Sequence, residues 1–178
     1  GIEKVRILVE GERLIGPSGE PFGDLTRVAL DSEGRPKQDG GKVITLYFGD
    51  SQAEYVVAET RMVQFDQSES IEKIVFEELK KGPVTKGLDP VIPKGTQLLS
   101  VKTQDGICTL NLSKEFINNH MGGTAGEAMT INAIVNSLTE LPNINKVQFL
   151  IEGQIREVFI HGALDTPIER NESIIKND

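Results

Sequence analysis

HMGGTAGEAMTINAIVNSLTEL, residues 120 to 141, sets a histidine, paired glycines, a threonine and a glutamate ahead of an apolar run. Such a cluster fits a phosphate cradle, a metal site, a catalytic corner or the start of a helix. With Thr124 as N-cap, Glu127 falls at N3, and TAGE reads as a capping box in which each side chain satisfies the other residue's backbone N–H. Ala128, Ile131, Ile134, Val135, Leu138 and Leu141 then recur at helical spacing, and Pro142 closes the run. Gly122 and Gly123 allow a sharp turn into the helix. A phosphate loop needs a strand before its glycines and a lysine after them. Here a short helical pattern precedes, and Glu127 would repel a phosphate. The stretch therefore predicts a long buried helix over 125–141, with Ile131, Ile134, Val135 and Leu138 facing a sheet.

Outward from this helix the chain alternates hairpins and helices. Residues 43–48 (VITLYF) and 55–63 (YVVAETRMV) read as two strands joined through Gly49-Asp50-Ser51. Ile71, Ile74, Val75 and Leu79 share one helical face, with Asp66, Ser68 or Ser70 available as cap and Gly82-Pro83 as stop. Residues 83–95 carry three prolines and read as irregular. Segments 97–103 and 107–112 flank Asp105-Gly106, a hairpin signal. Ser113 can cap a short helix over 114–120. Residues 146–151 form a strand that turns at Glu152-Gly153, and 154–160 return. The order β-β-α-β-β-α-β-β predicts an α+β fold, with an antiparallel or mixed sheet and two long helices on one face.

The ends of the chain resemble each other. IEKVRILVEG at 2–11 and INKVQFLIEG at 144–153 share six residues at a constant offset of 142. Similar closes follow, FGDLTR and LDTPIER. This predicts that 1–28 is the C-terminal remnant of a preceding copy, 29–42 a linker rich in Gly and charge, 43–170 a complete domain and 171–178 a tail. Strand 4–10 would then seek a sheet edge, in its own domain or in a second molecule, giving a homo-oligomer.

The 178 residues carry a formal charge of −8, with 26% charged and 38% hydrophobic residues, as in a folded globular chain. No basic stripe invites nucleic acid or an anionic membrane surface. The single cysteine, Cys108, forms no intramolecular disulfide. It lies in an apolar strand pattern and reads as a buried thiol. No Cys or second His stands at ligand spacing from His120, so no metal ligands are assigned. Nor does the sequence offer a nucleophile, base and orienter, so no catalytic or cofactor-binding residues are assigned. His120 reads as a packing or hydrogen-bonding residue at the helix junction. With no Trp and only Tyr47 and Tyr55, a glycan platform is weakly furnished.

ITLYFGDSQAEYVVAETRMV, IEKIVFEELKKGP, VIPKGTQLLSV, TLNLSKEF, HMGGTAGEAMTINAIVNSLTEL and VQFLIEGQ follow one another across 43–170. Together they resemble the GerM domain, the sporulation and spore-germination domain of Firmicutes, in which GG[ST]AGE is a hallmark. The resemblance implies a fold similar to the ring-building motif and no enzymatic activity. It implies a lipoprotein outside the cytoplasmic membrane, in the space between mother cell and forespore. Its expected partners are envelope proteins of the sporulation channel complex. Membrane attachment would come only through a lipid anchor absent from these residues. The competing expectation is a peptidoglycan- or glycan-binding module.

Overall fold

The computed structural model describes residues 4–5, 8–9, 12–13, 25–26, 41–64, 69–121 and 123–176. It divides the chain into two units, Gly1–Gly40 and Gly41–Asp178. The first contains β1 (Lys4–Val5), β2 (Leu8–Val9), β3 (Glu12–Arg13) and β4 (Leu25–Thr26). β1 pairs antiparallel with β4, and β2 with β3 through Leu8↔Arg13 and Val9↔Glu12. Of the strand expected over 4–10, Lys4–Val5 and Leu8–Val9 are strand and pair within this unit, while residues 6, 7 and 10 lie outside the described set. Most of the expected linker, 29–40, lies outside it as well.

In the second unit β5 (Gly41–Asp50) and β6 (Val56–Gln64) form an antiparallel hairpin. Ile44, Leu46 and Phe48 alternate on one face, and Tyr47 is buried on the other, so the second half of β5 is covered on both sides. α1 (Ile71–Lys80) begins where the Ser70 hydroxyl accepts from the Lys73 N–H at 3.3 Å. β7 (Leu88–Asp89) adds two residues to the end of β5. β8 (Leu98–Gln104) and β9 (Ile107–Leu112) make the second hairpin, turning through positive φ at Asp105 (52°) and Gly106 (78°). Gly106 takes its positive φ at no steric cost, and a Cβ there would also push the end of the Asn145 side chain aside. α2 (Glu115–Asn118) has no side-chain cap: the Ser113 hydroxyl instead accepts from the Gln97 N–H at 3.1 Å, a tie to the adjacent strand that competes with the helix end.

α3 (Gly123–Leu138) is the long helix expected from the 120–141 stretch. It leads to β10 (Lys146–Ile151), which lies parallel to β9 in register Lys146↔Ile107 through Ile151↔Leu112. The α+β class with mixed pairing stands, and its strands divide between two sheets, β6-β5-β7 and β11-β10-β9-β8, where β11 is Ile168–Glu169. The last strand is not 154–160. It is β11 (Ile168–Glu169), antiparallel to the start of β10, and 154 contributes only the bridge Ile151↔Gln154. The cause is local. The turn at Glu152 (φ 50°) and Gly153 (φ 80°) reverses the chain, but Phe159 then dives into the core and pulls the segment out of the sheet.

α3 is buried on almost every side, because Met129–Leu138 contains one half-buried residue, Asn132, and nine buried ones. Ile134, Val135 and Leu138 are fully buried, in agreement with the periodicity. Buried Asn136 acts as a substitute strand neighbour: its amide donates to the Asn171 carbonyl at 2.9 Å and its oxygen accepts from the Asn171 N–H at 3.0 Å. The segment expected as a tail is therefore bonded to the body, and Lys176 N–H also donates to the Val56 carbonyl at 2.9 Å.

Candidate functional site

The start of α3 opens onto a groove of about 690 Å³. One wall is the end of β5 with Asp50 and Ala53; the other is 118–121 together with Gly126, Met129 and Thr130. The lip is residues 89–94, DPVIPK. Val91 and Ile92 turn inward and are buried, as is Met129. The lip is fixed from below. Thr130 Oγ1 donates to the Val91 carbonyl at 2.9 Å, Thr96 Oγ1 to the Pro93 carbonyl at 2.7 Å, and Asn119 Nδ2 to the Lys94 carbonyl at 2.8 Å.

His120 is held by the same hydroxyl. Thr130 directs its proton to Val91, so Nε2 of His120 donates to Thr130 Oγ1 at 3.1 Å and Nδ1 carries the lone pair. Nδ1 is buried without a hydrogen-bond partner. Burial lowers the pKa of His120 against the opposing pull of the Gly126 backbone and the Glu127 charge. Phe159 meets the imidazole edge-on at 5.0 Å and stacks on Phe116 at 4.9 Å. A neutral histidine packed this way is a structural element of the helix junction.

Glu127 is not a capping residue. α3 begins at Gly123, with φ 57°, so Thr124 already lies inside the helix. Glu127 is 4% exposed, and its carboxylate accepts from the backbone N–H of Ile160 (3.3 Å), His161 (3.0 Å) and Gly162 (2.7 Å) and faces His161 Nδ1 at 3.1 Å. The carboxylate fills a nest of successive amides and pins the loop that carries Phe159. Burial raises its pKa, but the Gly162 amide, the His161 ring and the other two amides outweigh it and hold the group below the usual 4.5.

Two expected outcomes follow. Thr124→Ala, a costly cap loss under the capping-box reading, should change stability by no more than about 0.5 kcal/mol, as at other exposed positions. A drop of a full kcal/mol in urea unfolding would restore the box. Glu127→Ala should cost about 1–3 kcal/mol by stranding the loop amides, and amide exchange at 160–162 should accelerate. Because the folded pKa is depressed, this stabilisation is complete above the unfolded value near 4.5 and is lost as pH falls through the folded pKa. An acid-unfolding profile identical to that of the parent would count against the nest.

Cys108 is fully buried, and burial pushes its thiol up to about 11, so it carries no reactive thiolate at neutral pH. No cluster of three or more metal-ligating side chains occurs among the described residues. None of their helices is long and apolar enough to cross a membrane.

Sequence reading did not single out two further polar clusters. Tyr47 OH donates to Glu140 Oε1 at 2.8 Å and accepts from Arg170 Nη2 at 2.9 Å, which ties the segment after β11 to β5 and the end of α3. Arg61 on β6 joins buried Glu59 to Glu78 on α1. No local pattern marks Arg61, Glu59 or Arg170, since most of their partners lie on other elements.

Two sheets gathered around one buried helix, whose polar groups hold loops in place, define an α+β module. The chain belongs to the Germane family, described as sporulation and spore germination, whose model matches residues 45–157. Tandem GerMN domains of the sporulation protein GerM from Bacillus subtilis superpose with TM-score 0.63 at 25% identity, over 98% of this chain and 64% of that one. The chain thus spans less than two thirds of that tandem structure. A protein from Clostridium perfringens described as a lipoprotein gives TM-score 0.51 at 31% identity, over 80% of this chain and 93% of that one. The first GerMN domain of GerM shares the fold, with TM-score 0.59 at 24% identity, over 74% of this chain and 98% of that one. No curated protein matches the chain.

Proposed function

We propose that this chain is a non-catalytic interaction and scaffold module of an extracytoplasmic sporulation and germination lipoprotein. In this reading it supports the channel complex between mother cell and forespore. The observation that carries it is the fate of the 120–141 stretch. Glu127, Thr130, Asn136 and Ser137 each bond loop or helix backbone, and His120 Nε2 bonds Thr130, so the polar groups of the stretch serve the fold. Family membership and the likeness to GerM support the sporulation setting, and the Clostridium perfringens relative supports the lipoprotein setting.

The repeat reading, with 1–28 as remnant and 29–42 as linker, gains support from pairing. At the sequence offset of 142, Val9↔Glu12 in the first unit falls on Ile151↔Gln154 in the second. Lys4 and Val5 fall on Lys146 and Val147, which likewise pair antiparallel with a returning strand. The glycan reading is poorly supported, because Tyr47 is buried and bonded and the groove carries no Phe, Tyr or Trp. Photo-crosslinking of the full-length protein in sporulating cells tests the proposal. Channel-complex proteins are the expected products; crosslinks to wall glycan alone would overturn it.

A further inference from the structure

The groove beside α3 has a charge arrangement that the fold does not use. Asp89 sits on β7 against Gly49 of β5, whereas Lys94, five residues on, is tethered through its carbonyl to Asn119 after α2. The lip therefore carries an acid on the β5 side and a base on the α2 side. Neither side chain makes a hydrogen bond or ion pair among the described residues, and both are exposed. Between them lies an apolar floor of Val91, Ile92, Ala53 and Met129. A second carboxylate, Asp50, stands on the acidic side, its Oδ1 accepting from the Glu54 and Tyr55 N–H groups at 2.9 and 3.2 Å; the charge of Lys176 already acts on it, so Asp89 is the principal acid.

We propose that this groove binds an extended peptide segment that carries an aliphatic side chain between a cationic and an anionic group. The cation meets Asp89 and Asp50, the aliphatic side chain meets the floor, and the anion meets Lys94. The volume, about 690 Å³, falls in the range of roughly 300–1,000 Å³ that small-ligand sites occupy. The lip is fixed by Thr130, Thr96 and Asn119 before anything binds, so little ordering cost falls on the protein. Sugars lack the aromatic platform they favour, and polyanions would meet two carboxylates. The inference rests on the interaction-module reading and names the chemistry of its partner.

The test is titration of the 15N-labelled full chain with the terminally blocked hexapeptide Lys-Ala-Val-Leu-Ala-Glu and its reverse. A control peptide carries acetyl-lysine and glutamine at the charged positions. The expected result is saturable shifts at the amides of Asp89, Val91, Lys94, Asn119 and Thr130 for at least one charged peptide. D89N and K94Q should each weaken it about two- to fivefold, as loss of an exposed ion pair does. Their melting temperatures should stay unchanged, since both side chains are exposed. Shifts that are absent, that map elsewhere, or that are as strong with the control would overturn the proposal. Chitotetraose giving the same shifts would also overturn it, in favour of a glycan. Peptide binding that persists while crosslinks to envelope proteins fail would remove the interaction-module reading and leave the groove assignment intact. Envelope crosslinks without peptide binding would do the reverse.

Discussion

Arg61→Ala should lower the unfolding free energy by about 3–5 kcal/mol, the cost of leaving a buried charge without its partner. The guanidinium donates through Nε to Glu59 Oε1 at 2.8 Å, through Nη1 to the Glu78 carbonyl and carboxylate at 3.0 and 3.1 Å, and through Nη2 to the Gly82 carbonyl at 2.6 Å. It also lies 5.2 Å above the Phe48 ring. β6, α1 and the turn after α1 therefore converge on one side chain. Glu59 is 8% exposed and also accepts from the Val84 and Thr85 N–H groups at 3.0 and 2.7 Å. Burial raises its pKa, but the Thr85 hydrogen bonds and then Arg61 hold it at about 2 rather than 4.5. A carboxyl shifted that far contributes about 3 kcal/mol, present in full above pH 4.5 and lost as pH falls towards 2. The variant should show a lower urea midpoint at unchanged m-value and a shallower loss of stability between pH 4.5 and 2. A decrease below 1 kcal/mol would mean that the cluster is only surface decoration.

This cluster was hidden in the sequence for a physical reason. Residues 55–63 alternate without separating a polar face from an apolar one, so the pattern does not say which face Glu59 and Arg61 occupy. The register places them opposite Leu46 and Ile44, on the face that α1 covers. Only the partner strand and helix reveal that side. Glu127 failed differently. Thr-x-x-Glu spacing describes a capping box correctly, yet spacing cannot say whether a glutamate folds back on its own helix or reaches a loop 34 residues later. The same limit moved the last strand from 154–160 to Ile168–Glu169. The apolar pattern of 155–160 was real, but it serves Phe159, one buried anchor, rather than a ladder. Local signals fared better where chemistry is decided locally. The Asp105-Gly106 turn and the strand over 107–112 stand where the sequence put them, and of the three caps it offered for α1 the last, Ser70, is used. Of the candidate groove, only His120 was weighed as a site residue, because the walls come from four separate segments of the chain.

The long helix gives the second large effect. Leu138→Ala and Ile134→Ala should each cost about 2–5 kcal/mol, and toward the upper end, because the cost of a deleted methyl group grows with the cavity that fails to collapse. Both side chains are fully buried. Their helix is enclosed by β5, α1, β10 and the Asn171 segment, so no exposed face can move in to fill the space. Ile74 on α1 is the comparison, half-buried on a helix with one face in water. Ile74→Ala should cost clearly less, because water and a yielding surface take part of the vacated volume. Urea unfolding of the three variants at neutral pH reads the difference directly. If the two α3 variants lose less than 2 kcal/mol, or no more than Ile74→Ala, then α3 is not the post around which the two sheets are assembled. The scaffold argument for the 120–141 stretch would fall with it, since a post that yields cannot hold the groove lip at Thr130 or the Phe159 loop at Glu127 in fixed positions.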